Sequence, residues 1–157
     1  MTDAPDAPDA PDAPGATRTT RELMTAIFRA CEAKDVEGAV ALTAPNAVFI
    51  DPHYPRVHNT GTAEIRESLV WGIGGLEQMR FHEQRWYAAD DGAVSVEVDT
   101  HHTIKGKREV RFAQVFVAES SEGLLTRLQA FEPYGPHGVL ATVLRVMRAK
   151  KRLTGTY

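Results

Sequence analysis

The sequence predicts an α+β domain in which helices cover one face of a curved, cone-shaped antiparallel sheet. Two observations indicate this class. Apolar residues recur at helical intervals in the first half of the chain, and they change to a twofold alternation between about residues 79 and 132. Turn-forming segments such as Asp90-Asp91-Gly92 separate four alternating runs, so neighbouring runs are expected to pair as hairpins. Helices followed by strands are typical of α+β domains.

Length and composition favour one globular domain with a real core, since the 157 residues are 43% hydrophobic and 25% charged. We expect a tail at 1–18, the domain at 19–135, and a C-terminal helix and tail at 136–157. Residues 2 to 15 repeat Asp-Ala-Pro, which predicts disorder. The four aspartates of this tail exceed the net charge of -3, so the rest of the chain sums to about +1 and the domain is nearly neutral. Nucleic acid binding, which needs clustered cations, is not expected.

The single cysteine, Cys31, lies in a helical apolar pattern and has no second cysteine with which to form a disulfide. This favours a reducing compartment. No apolar run approaches the length of about 20 residues that spans a bilayer, and no signal-peptide core follows the start. We therefore expect a cytoplasmic protein without a membrane partner.

The N-terminal helices have recognisable start signals. Thr19 and Glu22 have the spacing of a capping box, which predicts a first helix over about residues 20–33. Asp35 can cap a second, short helix that reaches Leu42. The third helix, opened by Thr60 or Thr62, is expected to end within the glycines at 72–75.

Between the second and third helices, the run Val48-Phe49-Ile50 predicts a strand that ends at Asp51. Pro52 biases Asp51 towards an extended conformation, because the proline ring crowds the preceding residue. A polar loop with His53, Tyr54 and His58 follows. This strand, loop and helix are expected to form the rim of a pocket.

The four later strands are expected at about 79–89, 93–104, 108–118 and 124–132, and a last helix follows Pro136. The second run alternates most clearly, so one face of it carries Val96, Val98, Thr100 and His102. His102 is therefore expected to point inward and His101 outward.

Two segments resemble a known family. Asp51-Pro52 at a strand end and Gly61-Thr62-Ala63-Glu64-Ile65-Arg66-Glu67 at a helix start are similar to the ketosteroid isomerase and SnoaL-like polyketide cyclase branch of the nuclear transport factor 2-like (NTF2-like) superfamily. The resemblance covers about residues 20 to 135. It implies an NTF2-like cone with a cavity, a homodimer formed through the outer face of the sheet, and a proton-shuttling base at Asp51.

The resemblance also has departures. Steroid isomerases hold the enolate oxygen with a helix tyrosine and a protonated strand acid. Ile27 stands at the tyrosine position, and the acid would fall near Ala113 or Val115. Neither position carries a hydrogen-bond donor, so plain steroid isomerase activity is not expected.

The candidate catalytic residues are Asp51 as the base, and His102 or His53 as the acid or orienting group. Expected ligand contacts come from pocket aromatics and from polar residues within apolar strands: Phe49, Tyr54, Trp71, Thr100, Gln114, Gln129 and Phe131. For each of these residues a structural role in the core, a turn or the rim stays open. The histidine spacing matches no strong metal-ligand signature, so no metal and no other cofactor are expected.

These residues favour an enzyme that moves protons on a small hydrophobic carbonyl compound without a cofactor, by isomerisation, aldol-type cyclisation or dehydration. The alternative is a non-catalytic ligand-binding or dimerisation module, since one fold serves many functions.

Overall fold

The computed structural model describes residues 17–106 and 108–132, together with the single positions Val146, Ala149 and Leu153. The Asp-Ala-Pro tail and most of the expected C-terminal helix lie outside the described residues. The elements are α1 (Thr20–Glu32), α2 (Val36–Ala41), β1 (Thr43–Ile50), β2 (His58–Thr60), α3 (Gly61–Gly74), β3 (Leu76–Ala88), β4 (Val94–Ile104), β5 (Arg108–Ser121) and β6 (Leu124–Phe131).

The α1 helix begins at the predicted capping box. The Thr19 hydroxyl accepts a hydrogen bond from the backbone N–H of Glu22, whose carboxylate accepts one from the Thr19 backbone N–H. The buried face of α1 packs against the sheet, and the Phe28 ring stacks on Phe81 with 4.7 Å between ring centroids. The helix thereby closes one side of the cone.

The α3 helix begins at Gly61, whose φ of 77° favours glycine. No side-chain hydroxyl caps it. Instead, the Glu64 carboxylate accepts a hydrogen bond from the Thr60 backbone N–H at 2.7 Å. The helix continues through Gly72 to Gly74, within the glycine run where it was expected to end.

The sheet is curved and has six strands in the order β2-β1-β6-β5-β4-β3. It differs from the prediction in two respects. The predicted rim loop contains the short strand β2, and β1 pairs in parallel with β6, so the sheet is mixed rather than wholly antiparallel. Ile50 is thereby paired with Gln129, which places the ends of β1 and β6 side by side.

One face of the sheet, the inner face, carries the core and faces α1 and α3. Val96, Val98 and Thr100 on β4 are buried there, as the alternation predicted. Its partner strand β5 turns Gln114 and Phe116 to the same face. The outer face carries the alternate residues, including Ala113 and Asp99, which are exposed.

Candidate functional site

A cavity of about 660 Å³ lies between α1, α3 and the inner face of the sheet. Its walls are mostly apolar, with side chains from every helix and strand around it except α2. The polar side chains that line it are Asp51, His53, Tyr54, Asn59, Ser68, His102 and Gln114. An apolar cavity with a few convergent polar groups is the usual form of a small-molecule site.

Asp51 follows the last residue of β1, and the chain turns back on itself directly after it. The backbone N–H of Asp51 donates to the Val57 carbonyl at 3.0 Å, and the backbone N–H of Tyr54 donates to the Asp51 carbonyl at 3.3 Å. Oδ1 of Asp51 accepts two hydrogen bonds from His53, from the backbone N–H at 2.9 Å and from Nδ1 at 2.8 Å. Among the described residues no group donates to Oδ2, so this oxygen stays available to a ligand.

His53 lies between two carboxylates. Its Nδ1 contacts Asp51, and its Nε2 contacts Oε1 of Glu132. The hydrogen bond to Asp51 raises the pKa of His53, and the charges of Asp51 and Glu132 act in the same direction against partial burial. With both ring nitrogens occupied, His53 has no donor left for a ligand. Of the two roles expected for it, the geometry favours orienting Asp51 over acting as an acid.

His102 lies on the inner face of β4, as predicted, and its ring packs edge-on against Phe81 and Phe112 at centroid distances of 5.4 and 5.9 Å. Its Nδ1 is buried and has no hydrogen-bond partner among the described residues. Burial lowers the pKa of His102, which favours the neutral imidazole. A nitrogen with no exposed surface does not reach a ligand, so a ligand contact of His102 comes through the rest of the ring, which lines the cavity.

Gln114 occupies the middle of the inner face, where its side chain is almost completely buried. Thr100 does not itself line the cavity, but its hydroxyl donates to Oε1 of Gln114 at 2.7 Å. The amide is thereby oriented with its Nε2 donor left over, and no described group accepts from that nitrogen. The sequence comparison placed the strand donor at Ala113 or Val115, yet both of these residues lie on the outer face. On this strand, the side-chain amide that faces the cavity belongs to Gln114.

Tyr54 packs against α3 at one side of the cavity. Its ring lies 5.9 Å from the Trp71 ring, and Gly72 is the position directly beneath it. Burial raises the pKa of Tyr54, and the Asp51 charge adds to this, so the hydroxyl keeps its proton. Trp71 also lines the cavity but is 57% exposed, which places it at the mouth, and Phe49 lines the interior.

Three predicted contact residues do not line the cavity: Thr100, which binds Gln114 instead, and Gln129 and Phe131. Gln129 and Phe131 lie on the outer face of β6, where Gln129 contacts Arg127 and Phe131 is 40% exposed. Leu128 and Ala130 line the cavity in their place. The ligand contacts expected of these three residues are therefore corrected.

Three polar residues were absent from the predicted set. Glu132, the last residue of the last predicted strand, contacts His53. Asn59 and Ser68 line the cavity and bind each other, with the Ser68 hydroxyl donating to Oδ1 of Asn59 at 2.6 Å. Asn59 also donates to the Arg56 carbonyl at 3.0 Å, which ties the rim loop to α3. No local sequence signal distinguishes Asn59 or Ser68 from ordinary loop and helix residues.

Cys31 also lines the cavity, and burial raises the pKa of its thiol to about 12, so it is a weak nucleophile. Within residues 17–106 and 108–132, no group of three or more histidine, cysteine, aspartate or glutamate side chains is arranged to hold a metal ion. No helix in the described part of the chain has the length and apolar character needed to cross a membrane.

The chain belongs to the SnoaL-like domain family, which matches residues 24–128. A search of curated protein sequences found no match.

Solved structures share the NTF2-like, ketosteroid isomerase-like fold. The Delta 5-3-ketosteroid isomerase of a Mycobacterium species is 17% identical, with a TM-score of 0.63 over 71% of this chain and 91% of that one. TerC co-crystallised with polyporic acid is 20% identical, with a TM-score of 0.63 over 81% and 95% of the two chains. A Mycobacterium tuberculosis protein in complex with estradiol-17beta-hemisuccinate is 16% identical, with a TM-score of 0.63 over 69% and 89%.

Proposed function

We propose that this protein is an enzyme that transfers protons on a hydrophobic carbonyl compound without a cofactor. One observation carries the proposal: a free carboxylate oxygen of Asp51 and the ring of neutral His102 line the same apolar cavity. A base and a hydrogen-bonding group in one water-poor space are what proton abstraction beside a carbonyl requires. The carboxylate and the imidazole supply both functions, so the step needs no cofactor.

The cavity suits a compound of several fused or linked rings. Its volume of about 660 Å³ lies within the range of drug-sized sites, and aromatic walls from Phe28, Phe49, Phe81, Phe112 and Phe116 favour a flat apolar skeleton. Two structural neighbours hold such ligands, polyporic acid in one and estradiol-17beta-hemisuccinate in the other. Both support a hydrophobic substrate that carries oxygen groups.

The first step follows from the free oxygen of Asp51. Oδ2 removes a proton from the carbon next to the carbonyl, the C–H bond breaks, and its electron pair moves onto the carbonyl oxygen as an enolate. Return of the proton to another carbon completes an isomerisation. Attack of the enolate carbon on a second carbonyl gives a cyclisation, in which the new alkoxide takes the proton back from Asp51. Expulsion of a hydroxyl group, which leaves as water with that proton, gives a dehydration. All three reactions share the same first step.

The enolate oxygen needs donors, and two are present in the cavity. His102 can donate from its neutral ring, and Gln114 presents Nε2 because Thr100 occupies its carbonyl oxygen. A well-placed donor of this kind typically contributes about 3 kcal/mol to transition-state stabilisation. Gln114 and His102 therefore take the place of the tyrosine and strand acid used by steroid isomerases.

The test is deuterium exchange from solvent into a panel of hydrophobic ketones. We expect exchange by the wild type and a loss of about 10²-fold or more in Asp51→Asn, because the amide keeps the shape but cannot accept the proton. Asp90→Asn, the same change at an exposed residue of the turn between β3 and β4, is the matched control and should exchange as the wild type does.

Equal exchange by the wild type and Asp51→Asn would refute the role of Asp51. Tight binding of these ketones with no exchange by the wild type would instead identify a non-catalytic ligand-binding module of this fold.

We also propose a cytoplasmic homodimer formed through the outer face of the sheet. Val115, Val117 and Phe131 give this face an apolar strip beside the polar residues Glu97 and Asp99. Cys31 is a free thiol, which supports a reducing compartment.

A further inference from the structure

Glu132 reaches the site because β1 and β6 are parallel neighbours. Both strands end at the same edge of the sheet, and Asp51 and Glu132 each follow the last residue of their strand. On β6 the inner face is occupied by Leu128 and Ala130, and Glu132 continues that alternation. The fold thus brings two carboxylates to the two sides of the His53 ring.

The contacts of His53 constrain its protonation. The Asp51 and Glu132 carboxylates are acceptors only, so both ring nitrogens must carry hydrogens for both contacts to be hydrogen bonds. Among the described residues, the other groups near the ring do not compete: Phe112 on β5 is apolar, and burial favours the neutral forms of His102 on β4 and of Tyr54. The arrangement therefore favours the imidazolium.

We propose that Glu132 is a positioning residue that fixes the orientation and charge of His53, so that His53 always donates to Oδ1 of Asp51 and only Oδ2 faces the substrate. Glu132 itself does not contact the reacting atoms. This inference rests on the proposed function, in which Asp51 is the base.

Loss of the Glu132 charge weakens its control over the orientation and charge of His53. A neutral imidazole can carry its hydrogen on either nitrogen, and the tautomer with hydrogen on Nε2 would turn an acceptor towards Oδ1 of Asp51. Two facing acceptors repel, so the ring or the carboxylate must rotate. The base would then lose its alignment with the substrate.

The experiment uses the full chain with Glu132→Gln, Glu132→Asp and Glu119→Gln. Glu119 lies on the outer face, paired with Arg127, so its variant controls for the loss of one negative charge. In Glu132→Gln we expect a lower pKa of His53 by NMR titration and a fall of about 10-fold or more in the kcat of ketone exchange, with KM retained. Glu132→Asp keeps the charge and should restore much of the pKa and of the rate.

The His53 titration and the exchange rate test the role of Glu132 separately from the proposed function. An unchanged His53 titration in Glu132→Gln, or an equal loss of rate in Glu119→Gln, would overturn the role of Glu132. Absence of exchange by the wild type would refute the proposed function instead, and the titration would then decide alone whether Glu132 controls the charge of His53.

Discussion

The position of the rim loop depends on a contact between Tyr54 and Gly72, and Gly72→Ala tests it. A Cβ atom at residue 72 would lie 2.5 Å from Cε1 and 2.9 Å from the hydroxyl oxygen of Tyr54. Carbon atoms pack at about 3.5 to 4.0 Å, so the ring must shift by about 1 Å. Tyr54 is the residue next to His53, and the shift is therefore transmitted to the group that orients Asp51.

Two opposing effects set the stability of Gly72→Ala. Replacing glycine by alanine within a helix typically gains about 1 kcal/mol, whereas overpacking typically costs about 1 to 3 kcal/mol. We expect a net free energy of unfolding between unchanged and about 2 kcal/mol lower. The larger effect is expected on turnover, because a misplacement of about 1 Å at a catalytic site can cost about 10²-fold in rate.

Gly74→Ala provides the matched control, since it lies in the same helix and a Cβ there meets no atom within 4 Å. Urea denaturation and ketone exchange would be measured for both variants and for Gly72→Ala combined with Tyr54→Ala. We expect Gly74→Ala to be stabilised and fully active. In the Tyr54→Ala background, Gly72→Ala should also become stabilising. If Gly72→Ala alone gains as much stability as Gly74→Ala and keeps its rate, Tyr54 does not occupy the space above Gly72.

Two further predictions concern pH and assembly. The pKa of His53 is raised in the folded protein. Its contribution to stability is therefore complete below the ordinary histidine pKa of about 6.5 and is lost as pH rises through the folded pKa. The urea midpoint of His53→Gln should approach that of the wild type as pH rises, and a difference between the two midpoints that is independent of pH would contradict this. Sedimentation at micromolar concentration should show a dimer, and a monomer alone would exclude the outer-face homodimer.

Local signals in the sequence predicted most of the elements. The capping box at Thr19 and Glu22 marks the start of α1, and the alternation in β4 correctly assigned His102 to the inner face. These predictions succeed because each depends on residues that are close in the chain. Side-chain direction in a strand has a period of two, so one clear run is enough to assign a face.

The pairing of distant strands could not be predicted in the same way. The parallel contact between β1 and β6 joins segments about 80 residues apart, and no local pattern specifies it. The wrong expectation that Gln129 and Phe131 face the cavity has a related cause. The pairing of β5 with β6 shifts between Glu119 and Ser120, and a slip of one residue exchanges the two faces of a strand. Gln129 and Phe131 therefore point outward, although their composition suggested a cavity wall.

The polar groups of the site divide into satisfied and unsatisfied ones, and this division supports the assignment of roles. His53 saturates one oxygen of Asp51, and Thr100 saturates the carbonyl oxygen of Gln114. Each of these contacts fixes a side chain while leaving one of its atoms free. A fully structural network would instead satisfy every atom, because an unpaired buried polar group typically costs about 1 to 3 kcal/mol. Oδ2 of Asp51 and Nε2 of Gln114 are the atoms left free in this way, and a ligand group that bonded to them would complete the network.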